Sequence, residues 1–119
     1  MDYFFDNERP IYIQLVETLK LEIVSGKIKP GERISSVREL ALTAKVNPNT
    51  MQKALSELET EGLIYTERTN GKFVTTDTKL IEKVKEKLAN ENVKKYINDM
   101  KSIGISYEES ISYLQRNGG

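Results

Sequence analysis

The chain has 119 residues with 18 basic and 18 acidic side chains, so its net charge does not indicate any class of partner. This length suits one domain with a short appendage. The sequence contains neither cysteine nor histidine, which excludes disulfides, thiolate or imidazole catalysis and nearly every zinc or copper site, so we expect no cofactor and no metal.

Other classes of protein are disfavoured by the sequence pattern. Carboxylate and lysine chemistry stays open, but no constellation of nucleophile, base and orienting group predicts an enzyme. No apolar run approaches the ~20 residues that span a bilayer, and the acidic start MDYFFDNE lacks the basic region of a secretory signal. We therefore expect a cytoplasmic protein without a membrane partner.

The first predicted helix starts near Pro10 and stops at Gly26. Proline suits the first turn of a helix because its missing N–H would have no partner there. The apolar stripe is widened by Val16 and recurs at four-residue steps, at Ile11, Leu15, Leu19 and Ile23. The Pro30-Gly31 pair then marks a turn, with a short strand or extended connection around it.

A short second helix follows in the words SSVRELALTAKV. Ser36 with Glu39 three residues later has the form of a capping box, in which the serine oxygen accepts a helix N–H and the glutamate reaches back. The apolar stripe of this helix consists of Val37, Leu40, Ala41 and Ala44.

The words VNPNTM predict a tight turn into a third helix. Asn47 is a favoured N-cap and Pro48 falls at the first helical position, while Val46 and Met51 have the spacing of a hydrophobic staple. The helix ends at Glu61-Gly62, and its buried side consists of Met51, Ala54, Leu55 and Leu58. Its outward set consists of Asn49, Gln52, Lys53 and Ser56.

A hairpin is predicted next, because the strand-like words LIYTE and KFVTT flank RTNG, whose Asn-Gly pair is a strong turn signal. Three helices followed by a two-stranded hairpin is the order of a winged helix-turn-helix. The predicted fold class is therefore α+β and mostly helical, with a DNA-binding shape over residues 1–76.

Residues 77–119 are predicted to form a two-helix tail. Gly104 ends the first helix, which has a phase jump in its apolar spacing around ANEN, and the words SYEE open the second helix with another capping box. So short a tail cannot bury its own stripes, so we predict that it dimerises with a second copy. The predicted dimerisation residues are Ile81, Val84, Leu88, Ile97, Met100, Ile111 and Leu114.

The outward side of the third helix has the chemistry of base recognition. Asparagine and glutamine pair with adenine, arginine and lysine pair with guanine, and recognition uses side chains near the helix N-terminus. N–H groups freed at the helix start, with Thr50 and Ser36, suit phosphate oxygens. Candidates for phosphate neutralisation are Lys45, Arg33, Arg68 and Lys72.

Each of these features also has a purely structural interpretation. Asn47 and Pro48 could simply start a helix, and Lys72 could be an ordinary edge-strand lysine. By itself, Arg38 in the word SVREL would be a surface ion-pair residue, with Glu39 or Glu57 as its partner. The tail tyrosines could line a cavity for an unidentified small-molecule effector, although packing is the commoner role of aromatics at helical spacing. These are Tyr96, Tyr107 and Tyr113.

The words PIYIQL, GKIKPGERISSVRELA, VNPNTMQKALSELETEGLIY and GKFV resemble the DNA-binding domain of the GntR family of bacterial transcription regulators over roughly residues 9–75. The short tail is similar to that of the YtrA-like branch. The resemblance implies a homodimer that binds double-stranded operator DNA with two-fold symmetry and represses its genes, which in this branch often encode ATP-binding-cassette transporters.

The resemblance also implies individual DNA contacts. Arg38 matches the arginine that reaches the major groove. The polar positions at the start of the recognition helix, with two residues one turn further on, are Asn47, Asn49, Thr50, Gln52 and Lys53. Many members have a Gly-x-Gly tip in the wing, whereas this chain has Thr69-Asn70-Gly71 and retains only Gly71. The balanced charge leaves one alternative from another class open, a winged-helix module for protein–protein contact.

Overall fold

The computed structural model describes residues 3–118, which form two compact units, one ending at Val84 and the other beginning at Lys85. The elements are α1 (Ile11–Val24), α2 (Val37–Ala44), α3 (Pro48–Thr60), β1 (Ile64–Glu67), β2 (Gly71–Val74), α4 (Thr78–Ser102) and α5 (Tyr107–Asn117). The mostly helical α+β class and the winged helix-turn-helix order are as predicted. Within the described residues, no helix combines the length and apolarity needed to cross a membrane.

Helix α1 supplies one wall of the core through Leu15, Leu19 and Ile23. Pro10 is the N-cap of α1, not a residue of its first turn as predicted, and the helix begins at Ile11. The prediction was wrong for Ile11, which is the first residue of the helix and is 45% exposed.

A buried glutamine on α1 holds the N-terminal arm, residues 3–9. Gln14 is only 4% exposed. Its Nε2 donates to the carbonyls of Asp6 at 3.0 Å and Arg9 at 2.9 Å, and its Oε1 accepts the Asp6 N–H at 2.9 Å. Because both the N–H group and the oxygen of the amide have hydrogen-bond partners, burying the glutamine carries no penalty for an unpaired polar group.

The helix-turn-helix consists of α2, a turn at Lys45 and Val46, and α3. The Ser36 hydroxyl caps α2 by accepting the Glu39 N–H at 3.1 Å, while the Glu39 carboxylate accepts the Ser36 hydroxyl rather than its backbone N–H. The predicted capping box is therefore half formed. Lys45 has φ 57° and ψ 47°, the left-handed conformation that closes a helix C-terminus.

Helix α3 begins as the sequence predicts and buries the predicted side. Asn47 is the N-cap, with Pro48 at the first helical position. The helix packs against both α1 and α2. Its fully buried side chains are Met51, Ala54, Leu55 and Leu58.

The hairpin β1–β2 forms the wing, in which Ile64 pairs with Val74 and Thr66 pairs with Lys72. The extended connection before α2 adds a short third segment along β2. The Ile34 N–H donates to the Lys72 carbonyl at 2.8 Å, and Arg33 forms a bridge with Phe73. The segment predicted around Pro30-Gly31 is thus part of the wing sheet.

The first compact unit extends into α4 because Ile81 is buried in its core and Val84 packs against that core. The sequence-based boundary after residue 76 therefore lies before the boundary of the compact units. Helix α4 runs without a break through Ala89–Asn92, where the apolar phase changes.

The second unit contains α4 from Lys85 onwards, which is most of that helix, and the whole of α5. Ser106 and Glu109 form the complete capping box predicted for α5. The Tyr96 hydroxyl donates to the Ser110 carbonyl at 2.6 Å and joins the two helices. The Arg116 guanidinium lies over the Tyr113 ring, with its Cζ 4.2 Å from the ring centroid. Tyr107 is exposed.

Candidate nucleic-acid interface

The start of α3 divides its two asparagines between different tasks. The Asn47 side chain accepts the Asn49 N–H at 2.7 Å and is used as the cap. The Asn49 side chain is on the exposed side of the helix and, within residues 3–118, has no hydrogen-bond partner. Asn49 thus presents a complete amide to the solvent at the N-terminal turn, where a recognition helix contacts base edges.

Further polar groups are available on the same helix and on α2. Gln52 is exposed, and its Nε2 donates to Ser56 Oγ at 3.2 Å while Oε1 has no partner within the described chain. Arg38, in the first turn of α2, is exposed, and no carboxylate in residues 3–118 pairs with its guanidinium. The structural interpretation of Arg38 as an ion-pair residue therefore finds no support in this geometry.

Backbone donors at the start of α3 are already used. Pro48 has no N–H, the Asn49 N–H bonds the Asn47 side chain, and the Thr50 N–H donates to the Asn47 carbonyl at 3.0 Å. The Met51 N–H donates to the same carbonyl at 3.1 Å. The expectation of freed N–H groups for phosphate is thus wrong for this helix start, because the cap and the first turn satisfy them. The Ser36 hydroxyl is likewise engaged, with Glu39.

Lys53 is held against α1 and does not extend freely from α3. Its ammonium lies 3.8 Å from the centroid of the Tyr12 ring, a cation–π distance. The residue is nevertheless exposed, so its charge is positioned at the surface between the starts of α1 and α3.

Two other cations are exposed on this part of the molecule. Lys45 lies in the turn between α2 and α3, and Arg68 lies at the wing tip. Neither forms an ion pair within the described residues. Arg33 is different, because its Nε donates to the Asn70 carbonyl at 2.9 Å and thereby holds the wing tip.

Lys72 lies on the face of the wing that meets the end of α3. Its ammonium donates to Glu59 Oε1 at 2.9 Å and to Thr66 Oγ1 at 2.9 Å, and its side chain is 18% exposed. The hydrogen bond from the Thr66 hydroxyl, followed by that from Lys72, lowers the pKa of the Glu59 carboxyl. The alternative of a structural lysine therefore describes Lys72 better than free phosphate contact.

Charge is distributed unevenly along α3 although the chain is neutral. The first half of the helix carries Lys53 and no carboxylate, whereas Glu57 and Glu59 lie in the last turn and Glu61 follows it. The helix macrodipole adds partial positive charge at the N-terminus. The potential thus favours an anionic partner at the end where Asn49 and Gln52 are exposed.

The predicted dimerisation residues fall into three groups. Ile81 and Val84 already pack in the core of the first unit, so the structure accounts for them without a partner. Half-buried positions in the second unit are Leu88, Ile97 and Met100. Ile111 and Leu114 are 38% and 54% exposed on α5.

The geometry defines a class of protein. A helix-turn-helix with a capped third helix, followed by an antiparallel wing, is a winged helix-turn-helix, and its exposed polar groups lie where such domains contact DNA. The family model "Bacterial regulatory proteins, gntR family" matches residues 11–74, so this chain belongs to the GntR family. This confirms the resemblance, and it agrees with the expectation that the chain is a regulator and not an enzyme.

Two relatives from Bacillus subtilis match nearly the whole chain. The uncharacterized HTH-type transcriptional regulator YhcF is 35% identical over 97% of this chain and 95% of its own length. The HTH-type transcriptional repressor YtrA is 39% identical over 89% of this chain and 82% of its own length. The similarity to the YtrA-like branch therefore includes the tail.

Solved structures give the same result. A GntR family transcriptional regulator from Listeria monocytogenes superposes with a TM-score of 0.88 at 39% identity, over 94% of this chain and 98% of the other. AraR(DBD) in complex with operator ORX1 superposes with a TM-score of 0.59 at 30% identity, over 63% of this chain and 96% of that domain. GntR-type domains of this shape thus bind operator DNA.

Several contacts described above were not predicted from the sequence. Strand alternation predicts only the side on which Lys72 lies, because Lys72 is two residues from the buried Val74, and it does not identify Glu59 as the partner. The bond from Arg33 to Asn70 and the bonds from Gln14 to the N-terminal arm join positions with no fixed sequence spacing. Only tertiary packing brings these pairs together.

Proposed function

We propose that this chain is a homodimeric transcriptional repressor that binds an inverted-repeat operator in the cytoplasm. Helix α3 enters the major groove of each half-site, and the wing approaches the neighbouring backbone. The observation that carries the proposal is the set of unpaired polar groups on Arg38, Asn49 and Gln52. The operator complex of the AraR domain, which has the same fold, supports this mode of binding.

The side chains have distinct roles in this proposal. The Asn49 amide can donate and accept at one adenine edge, and the Arg38 guanidinium can donate twice to guanine. Gln52 retains its Oε1 acceptor for an exocyclic amine. Lys45, Lys53 and Arg68 supply sequence-independent contacts to phosphate.

We propose that two copies join through the second unit. Ile111 and Leu114 are exposed apolar residues on α5, and the half-buried Leu88, Ile97 and Met100 belong to the same unit. Exposed apolar side chains on so small a unit favour an interface between copies. The regulated genes, by similarity to the YtrA-like branch, would encode an ATP-binding-cassette transporter.

Binding to the chain's own promoter region tests the DNA-binding part. Arg38→Ala should lose about 1–3 kcal/mol at the base that it contacts, while binding to random DNA changes little. Lys27→Ala is the matched control, because it removes an exposed charge from the loop after α1.

Two results would contradict this assignment. An equal loss of affinity for promoter and random duplexes would refute base recognition by Arg38. No detectable binding to any duplex at ~50 mM salt, where non-specific electrostatic binding should appear, would favour the protein-interaction module instead.

Sedimentation tests the dimer. Leu114→Glu places a charge on the exposed apolar surface of α5 and should give a folded monomer with weaker promoter binding, because two linked half-sites benefit from effective concentration. Ile103→Glu is the control, since Ile103 is 70% exposed and outside the predicted dimerisation set. A Leu114→Glu protein that remains dimeric would refute this interface.

A further inference from the structure

The wing is joined to α3 by a polar contact of three side chains. Glu59 Oε1 accepts both the Lys72 ammonium, at 2.9 Å, and the Thr66 hydroxyl. The Lys72 ammonium also donates to Thr66 Oγ1 at 2.9 Å. One carboxylate oxygen of α3 thus contacts both strands of the wing.

The strand register fixes this arrangement. Thr66 and Lys72 are directly opposite each other, and each is two residues from a buried core residue, Ile64 or Val74. Side chains two apart on a strand share a face, so Thr66 and Lys72 both face α3. On that face the Lys72 ammonium pairs with Glu59, and the Lys72 side chain is only 18% exposed.

We infer that Glu59 is a positioning residue that keeps the Lys72 ammonium away from DNA phosphate and so determines specificity. The inference rests on the proposed DNA-binding function. Lys72 immediately follows Gly71 at the start of β2, close to the wing tip, where an unpaired cation would add affinity for every sequence alike. Glu59 suppresses this sequence-independent contribution and leaves the exposed Arg68 as the phosphate contact at the tip.

The physical effect is a change in the ratio of specific to non-specific binding. Phosphate contacts carry no sequence information, so each added contact strengthens binding to competing DNA as well as to the operator. Pairing Lys72 inside the protein removes one such contact and also holds the wing against α3.

Glu59→Gln tests the inference in the full-length protein. Glutamine has the same length and can still accept from Thr66, but it has no charge to retain the ammonium. The slope of log K against log salt should become steeper by about 0.9 on random duplex DNA, the value for one added phosphate contact. The ratio of variant to wild-type affinity should then rise about 3.5-fold between about 200 mM and about 50 mM salt.

Three further variants separate this effect from a general change of charge. Glu61→Gln removes the same charge two residues away, where Glu61 pairs with Lys20 of α1 at 3.0 Å, and should leave the slope near the wild-type value. Glu59→Gln combined with Lys72→Gln should return the slope to the wild-type value. Lys72→Gln alone should not change it.

Three outcomes would overturn the inference. Equal slopes for Glu59→Gln and Glu61→Gln would show that Lys72 was not released. If Lys72→Gln alone makes the slope of log K against log salt shallower by about 0.9, Lys72 already contacts phosphate in the wild type. If Glu59→Gln binds both promoter DNA and random DNA more weakly than the wild type, the contact between Glu59 and Lys72 only supports the wing. A wild-type protein that binds no DNA would instead refute the proposed function.

Discussion

Replacing Lys45 with glycine is expected to stabilise the fold and to weaken DNA binding. It is a non-glycine residue with positive φ, at 57°, in the turn that leads into α3. The left-handed conformation costs an L-residue roughly 1–2 kcal/mol, whereas glycine adopts it freely. Glycine also loses more backbone entropy on folding, which offsets about 0.5–1 kcal/mol of this gain. The difference is roughly 0–1.5 kcal/mol, so Lys45→Gly should stabilise the protein by about 0.75 kcal/mol.

Thermal unfolding at one fixed protein concentration measures this change, because the melting temperature of a dimer depends on concentration. The gain corresponds to roughly 2–6 °C for a chain of this size. Lys45→Ala is the matched control, since alanine removes the same charge but keeps the Cβ that makes the left-handed conformation costly. The difference between the two variants isolates the backbone contribution.

DNA binding should change in the other direction. Both variants remove the cation, so each should make the dependence of log K on log salt shallower by about 0.9 if Lys45 contacts one phosphate. A Lys45→Gly protein no more stable than Lys45→Ala would refute the backbone argument. Unchanged salt dependence in both variants would refute the phosphate contact.

Three other predictions concern single contacts. The pKa of Glu59 is lowered in the folded state, so its carboxylate stabilises the wild type relative to Glu59→Gln, by under ~1 kcal/mol because the Glu59 side chain is 39% exposed. This advantage should be full near pH 7 and disappear as the pH falls below about 4. Urea unfolding at several pH values checks this, and a constant advantage down to low pH would contradict it. Gln14→Ala should cost about 1–3 kcal/mol and make the N-terminal arm sensitive to proteolysis, because backbone groups lose their partner; an arm that stays protected would show that it is held by other contacts. Tyr96→Phe should cost about 0.5–1.5 kcal/mol through loss of the bond to Ser110, measured by urea unfolding.

Local rules predicted much of the fold. Helix periodicity identified the buried side of α3, the Asn-Gly pair identified the hairpin, and Asn47 and Ser106 were identified as caps. These features depend on neighbours within about one helical turn or one hairpin, so the sequence alone contains the physical cause.

Features that depend on tertiary packing were not predicted. Ile11 follows the apolar period but is exposed at the first position of its helix, whereas the polar Gln14 is buried and the N-terminal arm supplies its partners. The first unit extends to Val84, beyond the sequence-based boundary after residue 76, because Ile81 packs in its core. Periodicity indicates the buried side of a helix without indicating what covers it. For the same reason, the exposure of Asn49 was predictable, but the partner of Lys72 was not.

The bond from Arg33 to Asn70 makes the wing tip depend on a residue far away in the sequence. A Cβ on Gly71 would lie 3.3 Å from Arg33 Nε, and Gly71 has φ +101°, so the glycine provides both the turn and the space for the guanidinium. Because the acceptor at Asn70 is a backbone carbonyl, a loop from another family member fits beside Arg33 only if it keeps glycine at position 71 and a carbonyl at the place of the Asn70 carbonyl. In protein engineering, the unit that can be transplanted is the tip together with Arg33, and a loop graft that ignores this residue should give a misdirected wing.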